Sequence, residues 1–280
     1  MISYVTNSNL NKFYNKRKDW CRKGDFGKLI VVGGSLDYSG SPILNSLAAY
    51  KSGCDLVRIY SPESSANAIK SYSPDLIAFP LKGDYLSKEH INYILSEQDK
   101  FDAIVIGGGI FRNNQTISAM KDLINKIRLP AVLDADALYS LNSKLNKNFI
   151  LTPHAMEFYK ITGIKVENDL NSRIEEVKKA AKKYNCIILL KGKIDVISNG
   201  NETVINKTGS NYMTKAGMGD TLAGICGALL ARKINSFDAA CCAAYINGKA
   251  GEYASKEFGE SIVASDIINN IYRVINGVKK

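Results

Sequence analysis

The sequence contains only two histidines, His90 and His154, and its six cysteines form no C-x-x-C pair. Structural zinc sites use cysteine and histidine ligands at short, fixed spacings, so we expect no metal site of this kind. A membrane-spanning helix needs about 18 or more consecutive apolar residues. The longest apolar run, residues 222–231, is far shorter. The N-terminus also lacks the apolar segment of a signal peptide. These absences predict a soluble, cytoplasmic protein without a membrane partner.

Three common nucleotide and hydrolase motifs are missing. The sequence has no G-x-x-x-x-G-K-[ST], which argues against a P-loop, and no G-x-G-x-x-G, which argues against a Rossmann dinucleotide site. It also has no G-x-S-x-G, which argues against a serine hydrolase of the α/β type.

Basic residues exceed acidic ones by 37 to 27, which gives a net charge of +10. Such an excess favours anionic partners, and nucleotides are among them. No signature of an RNA- or DNA-binding module accompanies the charge. We therefore expect nucleotide ligands and no nucleic-acid partner.

Short apolar runs, rich in Ile and Val, alternate with helical patterns from residue 28 onward. Runs of this length and composition are typical of strands buried on both faces. They lie at residues 29–32, 56–60, 76–79, 103–106, 131–134, 149–151, 187–190, 196–198 and 203–206. The alternation predicts a three-layer α/β/α fold with a mostly parallel sheet, formed by residues 28–280 as one domain. Residues 1–27 are polar and irregular, and we expect a short arm.

Several helices can be placed from their end signals and apolar spacing. Ser41 and Pro42 are expected to be the N-cap and first residue of a helix that Gly53 ends. Further helices are predicted at residues 171–184, 220–232, 235–255 and 264–276. In parallel sheets ligands bind beyond the carboxyl ends of the strands, so the loops that follow the strands are the candidates for a site.

Two of these loops are rich in glycine. Residues 33–41 read GGSLDYSGS, and residues 107–109 are three consecutive glycines, with Arg112 shortly after. Glycine lets a ligand approach the backbone, and a helix start offers N–H groups to an anion. Both loops are equally compatible with simple tight turns, and Arg112 with either a phosphate contact or a surface role.

Two other loops carry polar side chains after apolar strands. Residues 134–138 read DADAL, and residues 152–157 read TPHAME. Asp134 and Asp136 could orient a ligand or water, although Asp136 could equally cap a helix. His154 is either structural or a ligand contact.

The strongest signal is the segment 216–224, AGMGDTLAG, which opens a long apolar helix. Gly217, Met218 and Gly219 can present backbone N–H groups as an anion hole that stabilises a transferring phosphoryl group. Asp220 is either a helix-capping acid or a base that accepts a proton from a hydroxyl beside the phosphate.

The glycine-aspartate turn at 217–220 resembles that of the ribokinase-like superfamily. The whole set of motifs, in order, resembles one branch of it, the ADP-dependent NAD(P)H-hydrate dehydratases. The motifs are GGS…YSG, IGGG, LDADAL, TPHxxEF, LKG and MTxxGxGDxLAG. The DADAL and TPH elements distinguish this branch from related kinases. The resemblance implies a stand-alone dehydratase domain, without the epimerase domain that many members carry.

This resemblance implies an enzyme, a lyase that restores NADH or NADPH from their ring-hydrated forms. ADP would phosphorylate the ring hydroxyl, elimination of phosphate would rebuild the double bond, and AMP would be released. Mg²⁺ would accompany the ADP, and a homo-oligomer is expected.

The resemblance also implies residue roles. Asp220 would be the catalytic base. The hydrated cofactor would be bound by Ser41, Gly109, His154 and Asp220. The nucleotide would be bound by Lys191, Gly192, Lys193, Ile194, Asp195 and Gly219.

The chain departs from the family pattern at four positions. Ser41 replaces a usual Ala, Ala216 and Met218 replace Gly and Thr, and Asp195 replaces a frequent Thr. Asp195 would bring a negative charge near a phosphate, and Ala216 requires a negative φ. Two alternatives therefore stay open: an ATP-dependent small-molecule kinase of the same superfamily, and a nucleotide sensor without catalytic activity.

Overall fold

The computed structural model describes residues 3–141, 144–166 and 169–277. The first two and last three residues of the predicted arm and domain, 1–2 and 278–280, lie outside the described residues. The strands are β1 Ser3–Tyr4, β2 Lys28–Val32, β3 Leu56–Pro62, β4 Ile77–Leu81, β5 Ala103–Ile106, β6 Ala131–Leu133, β7 Phe149–Leu151, β8 Ile187–Leu190, β9 Asp195–Ser198 and β10 Thr203–Asn206. All nine predicted strands are present, and the bounds of β5, β7, β8 and β10 agree with the prediction.

These strands form one sheet in the order β1-β10-β9-β8-β7-β6-β5-β2-β3-β4. Strand β9 is antiparallel to both of its neighbours, whereas the other pairs are parallel. The carboxyl ends of β2, β5, β6, β7 and β8 therefore meet along one edge of the sheet. That edge is where the loops singled out in the sequence come together.

The helices are α1 Asn7–Asn11, α2 Gly40–Lys51, α3 Glu63–Tyr72, α4 Lys88–Glu97, α5 Asn114–Lys126, α6 Ala155–Thr162, α7 Leu170–Tyr184, α8 Met218–Ala231, α9 Ser236–Phe258 and α10 Ala264–Asn276. The four helices predicted between 171 and 276 are present, and α10 has the predicted bounds. No helix within the described ranges is long and apolar enough to cross a membrane.

Two hydrophobic cores cover the two faces of the sheet. Successive side chains of a strand point to opposite faces. Leu29 and Val31 accordingly lie in one core, while Ile30 and Val32 lie in the other. Buried residues of α2, α3, α8, α9 and α10 complete the first core, and those of α4, α5, α6 and α7 complete the second. The predicted three-layer arrangement is confirmed.

The start of α2 differs from the prediction. The helix begins at Gly40 with Ser39 as its N-cap, so Ser41 is already inside the first turn. Pro42 follows it within that turn, where its missing N–H costs nothing. The end of the helix agrees with the prediction, because Gly53 follows it with a φ of +89°.

The first residues of the chain are more regular than expected. Strand β1 pairs in parallel with β10 at the sheet edge, and Leu10 of α1 is fully buried in the core. Further along, Arg232 donates from Nη2 to the carbonyl of Phe13 at 2.8 Å. Apolar contacts and this hydrogen bond therefore hold residues 3–14 against the main body, although their composition is polar.

Candidate functional site

The first turn of α8 lies at the edge of the sheet where the parallel strands end, because Gly219 is close to Lys191, which follows β8, and to Asp134, which follows β6. Gly217 precedes this turn with a φ of +86°. Glycine adopts this conformation readily, whereas other residues do not. A Cβ at this position would lie 2.7 Å from Leu44 Cδ1. Ala216 is not among the described non-glycine residues with positive φ, as expected. The turn can therefore present backbone donors to an anion.

Asp220 lies in this first turn and is held by α2. Ser41 Oγ donates to Asp220 Oδ2 at 3.1 Å, and Asn45 Nδ2 lies 3.4 Å from Oδ1. Asp220 is the acidic residue of this first turn, where a negative charge complements the helix N-terminus, and its carboxylate oxygens contact two side chains of α2. Burial and the charge of Asp134 raise the pKa of Asp220 to about 7, against the opposing influence of Ser41, Lys191 and Asn45. A carboxylate with this pKa is suited to accept a proton near neutral pH.

Lys191 lies beside the same turn. Its Nζ is 2.9 Å from Asp134 Oδ1 and 3.8 Å from Glu157 Oε2. A Cβ at Gly219 would lie 3.1 Å from this ammonium, so the absence of a side chain at Gly219 leaves room for Lys191. Burial opposes its charge, but the carboxylates of Asp134, Glu157 and Asp220 outweigh burial and raise the pKa of Lys191. Lys191 therefore brings a firm positive charge to the start of α8.

Three supporting residues were not selected from the sequence. Asn45 lies four residues after Ser41 and so on the same helix face, which is the signal that could have found it. Thr152 donates to Asp134 Oδ1 at 2.7 Å and fixes this buried carboxylate. Glu157 is the third residue of α6 and accepts from the His154 backbone N–H at 2.8 Å. This is a capping-box arrangement, which the spacing could have indicated.

A large cavity of about 1330 Å³ opens on one side of the α8 turn. It is lined by most of the residues predicted to bind the nucleotide, namely Lys191, Gly192, Lys193, Asp195 and Gly219, and also by Lys207, Lys215 and Lys256. Ile194 instead packs against the hydrophobic core. The lysines make this cavity suitable for a polyphosphate.

Asp195 follows β8 beside the larger cavity, but its carboxylate oxygens are both used in hydrogen bonds within the protein. Its two carboxylate oxygens accept from the Gly192 N–H and from Asn206 Nδ2, each at 3.0 Å. Burial raises its pKa to about 6, although these hydrogen bonds and the charges of Arg173 and Lys191 oppose the rise. The side chain thus ties the loop after β8 to β10.

A second, smaller cavity of about 630 Å³ lies next to the start of α2. Ser41 and Gly109 line it, together with Tyr38, Phe111 and Arg112. Ser41 hydrogen-bonds Asp220, and Gly219, the residue before Asp220, lines the larger cavity, so each cavity is lined by a residue adjacent to this carboxylate.

His154 lies apart from Ser41 and Gly109, with which it was grouped. It lines the larger cavity, and its side chain is about half exposed. Its Nδ1 accepts from the backbone N–H groups of Met156 and Glu157, so it caps α6. The other ring nitrogen, Nε2, lies 3.5 Å from Glu157 Oε1 and is the one that could also meet a ligand.

Comparison with known proteins identifies relatives of the whole domain. A sequence family described as NAD(P)H-hydrate dehydratase matches residues 29–273. A bifunctional NAD(P)H-hydrate repair enzyme of Pyrobaculum aerophilum is 40% identical over 265 residues, which are 94% of this chain and 53% of that protein. An ADP-dependent (S)-NAD(P)H-hydrate dehydratase of Nitrosopumilus maritimus is 37% identical over 282 residues, 99% of this chain and 98% of that protein.

A solved structure shares the complete fold. The ADP/ATP-dependent NAD(P)H-hydrate dehydratase of Bacillus subtilis, co-crystallized with ATP/Mg²⁺, superimposes with a TM-score of 0.86 at 25% identity, covering 99% of each chain. The predicted ribokinase-like fold is thus confirmed. The chain spans about half the length of the bifunctional relatives, such as 53% of the P. aerophilum protein.

Proposed function

The chain belongs to the NAD(P)H-hydrate dehydratase family, and on this basis we propose that it converts ring-hydrated NADH or NADPH back to the reduced cofactor with ADP as phosphoryl donor. The placement of Asp220 carries the proposal. A carboxylate with a pKa near neutrality lies at the start of α8, beside Gly219, which lines a lysine-rich cavity, and in hydrogen-bond contact with Ser41, which lines a second, more aromatic one. Two cavities lined by neighbours of one carboxylate suit a reaction with two large substrates.

The reaction proceeds in two steps. The hydroxyl at carbon 6 of the nicotinamide ring loses its proton to Asp220, and its oxygen attacks the β-phosphorus of ADP. The bond between this phosphorus and the bridging oxygen breaks, and AMP leaves. The lone pair of the ring nitrogen then expels phosphate from carbon 6, and loss of a proton from the ring restores the double bond.

The chain's charged groups stabilise the phosphoryl transfer. The N–H groups of the 217–219 turn and the Lys191 ammonium face the anion that develops on the phosphoryl group. Lys191 is kept in place by Asp134, which in turn is held by Thr152. Lys193 lies further along the same cavity, on the nucleotide side.

Mg²⁺ is proposed only as a companion of the nucleotide. In the described ranges no group of three or more His, Cys, Asp and Glu side chains could hold a metal ion. Asp134 and Glu157 both face Lys191, whose ammonium offsets part of their negative charge. Mg²⁺ often binds through substrate phosphates with few protein ligands, so it would enter with ADP and neutralise phosphate charge when bound.

The test is to incubate the purified protein with hydrated NADH or NADPH and ADP, and to follow the return of reduced-nicotinamide absorbance. AMP and phosphate should appear in equal amounts with the restored cofactor. A stable phosphorylated product would instead identify a kinase, and nucleotide-dependent thermal stabilisation without turnover would identify a sensor. No recovery with either ADP or ATP would overturn the proposal. Cytoplasmic location and a homo-oligomeric state stay predictions from the sequence.

A further inference from the structure

The smaller cavity contains an arginine whose role the proposed mechanism leaves open. Arg112 lines this cavity together with Ser41, the residue that hydrogen-bonds Asp220. The backbone between them is continuous with the reacting region, because a Cβ at Gly108 would lie 2.9 Å from Asp220 Oδ1. Four residues span at most roughly 14 Å, so the Arg112 backbone cannot lie far from the carboxylate.

Two neighbouring side chains contact the guanidinium of Arg112. Its Nε lies 2.9 Å from Asp136 Oδ1, and its central carbon lies 4.6 Å from the centre of the Tyr139 ring. The side chain remains 51% exposed. This contact uses the Nε side of the group, so the fork formed by Nη1 and Nη2 is available for a planar, two-point hydrogen bond to an oxyanion.

The charged side chains among the described residues that line the smaller cavity are those of Arg112 and its partner Asp136. Of the described residues that line it, Arg112 is the cation and Asp136 is the acid. Tyr38 and Phe111 add aromatic surface, and their side chains are substantially exposed. Rings suited to stacking, beside one half-exposed guanidinium, match a ligand that has flat heterocycles joined by phosphate.

We propose that Arg112 binds a phosphate group of the nicotinamide dinucleotide and thereby determines how tightly this substrate is held. Asp136 and Tyr139 act as positioning residues that orient the guanidinium. The inference rests on the proposed function, since it assigns the smaller cavity to the hydrated cofactor. The phosphate is either the pyrophosphate, one ribose away from the reacting ring, or the 2′-phosphate that only the NADPH form carries.

Steady-state kinetics of Arg112→Ala and Arg112→Lys with hydrated NADH and hydrated NADPH test the proposal. Hydrogen bonds to charged groups support a loss of about 10- to 100-fold, which should appear as a higher KM for the dinucleotide. The kcat and the KM for ADP should stay close to wild type, because the contact is remote from the reacting atoms. Arg112→Lys keeps the positive charge but lacks the two-pronged donor, so its KM for the dinucleotide should fall between those of wild type and Arg112→Ala.

The two substrates distinguish the two phosphates. An equal rise in KM for both assigns the contact to the pyrophosphate, and a rise for hydrated NADPH alone assigns it to the 2′-phosphate. Arg128→Ala is the matched control, because Arg128 is an exposed arginine paired with Asp99 at 2.6 Å outside the lining of either cavity.

If folded Arg112→Ala, verified by its Tm, keeps both KM values within about twofold of wild type, the inference is overturned. Should Arg112→Ala fail to fold, Arg112→Lys decides by the same criterion. If the wild-type protein shows no turnover at all, the proposed function has failed, and the two failures are thus separate.

Discussion

Replacement of Asp220 by Asn should remove activity and stabilise the protein in the same variant. The pKa of this carboxyl is raised from 3.8 to about 7, chiefly by burial. Each pKa unit corresponds to about 1.4 kcal/mol, so ionised Asp220 costs the folded state up to about 4 kcal/mol. Asparagine has nearly the same shape and carries no charge, so Asp220→Asn avoids this cost.

The stabilisation must depend on pH in one direction. Well below pH 3.8 the carboxyl is neutral in both the folded and the unfolded chain, and the substitution should change Tm little. As pH rises toward 7, the unfolded chain ionises while the folded protein keeps its proton, so wild type loses stability. Above pH 7 the difference is complete. At about 2 °C or more per kcal/mol, Asp220→Asn should melt up to about 8 °C higher than wild type at pH 8.

Turnover should behave in the opposite way. Loss of a general base typically costs about 10²- to 10⁴-fold in rate, and the return of reduced-nicotinamide absorbance at pH 8 measures it. Binding of ADP should be nearly intact, because the larger cavity keeps its lysines. Asp238→Asn, which likewise replaces an acid in the first turn of a helix, α9, is the matched control and should leave the rate unchanged.

Two results would refute this reasoning. A near-normal rate of Asp220→Asn would exclude Asp220 as the base. A Tm difference that is equal at pH 5 and pH 8, or negative at pH 8, would show that burial does not penalise the charge.

Three further substitutions test the surrounding geometry. Ser41→Ala removes a hydrogen bond that favours the ionised base, so the acid limb of kcat/KM against pH should move to higher pH, and an unmoved limb would contradict the Ser41 contact. Gly217→Ala should lower the free energy of unfolding in urea by about 1–2 kcal/mol or more, because a Cβ is penalised in left-handed backbone even without the crowding by Leu44. Gly163→Ala, at a φ of +76° in open space, should cost less, and equal costs would exclude the close contact as a cause. Lys191→Met leaves Asp134 buried without its cation, so loss of turnover should be accompanied by a clear drop in Tm, from a loss of about 3–5 kcal/mol. An unchanged Tm would show that the pair is not needed for folding.

Elements with strong local signals were predictable. The strand from Ala103 to Ile106 is an isolated apolar run. A short, uninterrupted run of Ile and Val is typical of a strand that is buried on both faces, which is a strand in the middle of the sheet. The helix from Ala264 to Asn276 has a clear apolar stripe, so its bounds could be found without a partner. The glycine turn before Asp220 was likewise identifiable, because its backbone conformation is open to few other residues.

Other features depended on residues far apart in the chain. Serine is a common N-cap residue, so Ser41 was predicted to cap α2. The cap is Ser39, and the Ser41 hydroxyl instead donates to the carboxylate of Asp220, 179 positions later. The polar first residues appeared irregular because β10, the strand beside which they pair, lies in the last third of the chain. A strand as short as β1 also has no periodicity of its own.

The amino-acid order alone determined the alternating elements, the buried strands and the glycine turn at 217–219, since each depends on side chains and φ angles within a few neighbouring residues. Only the packed structure decided that Asp220 would hold a proton near neutrality, that Lys191 would pair with Asp134 and Glu157, and that neighbours of Asp220 would line two separate cavities. The reason is physical: desolvation and Coulomb interaction depend on distances through space, and those distances exist only after the strands have been laid side by side.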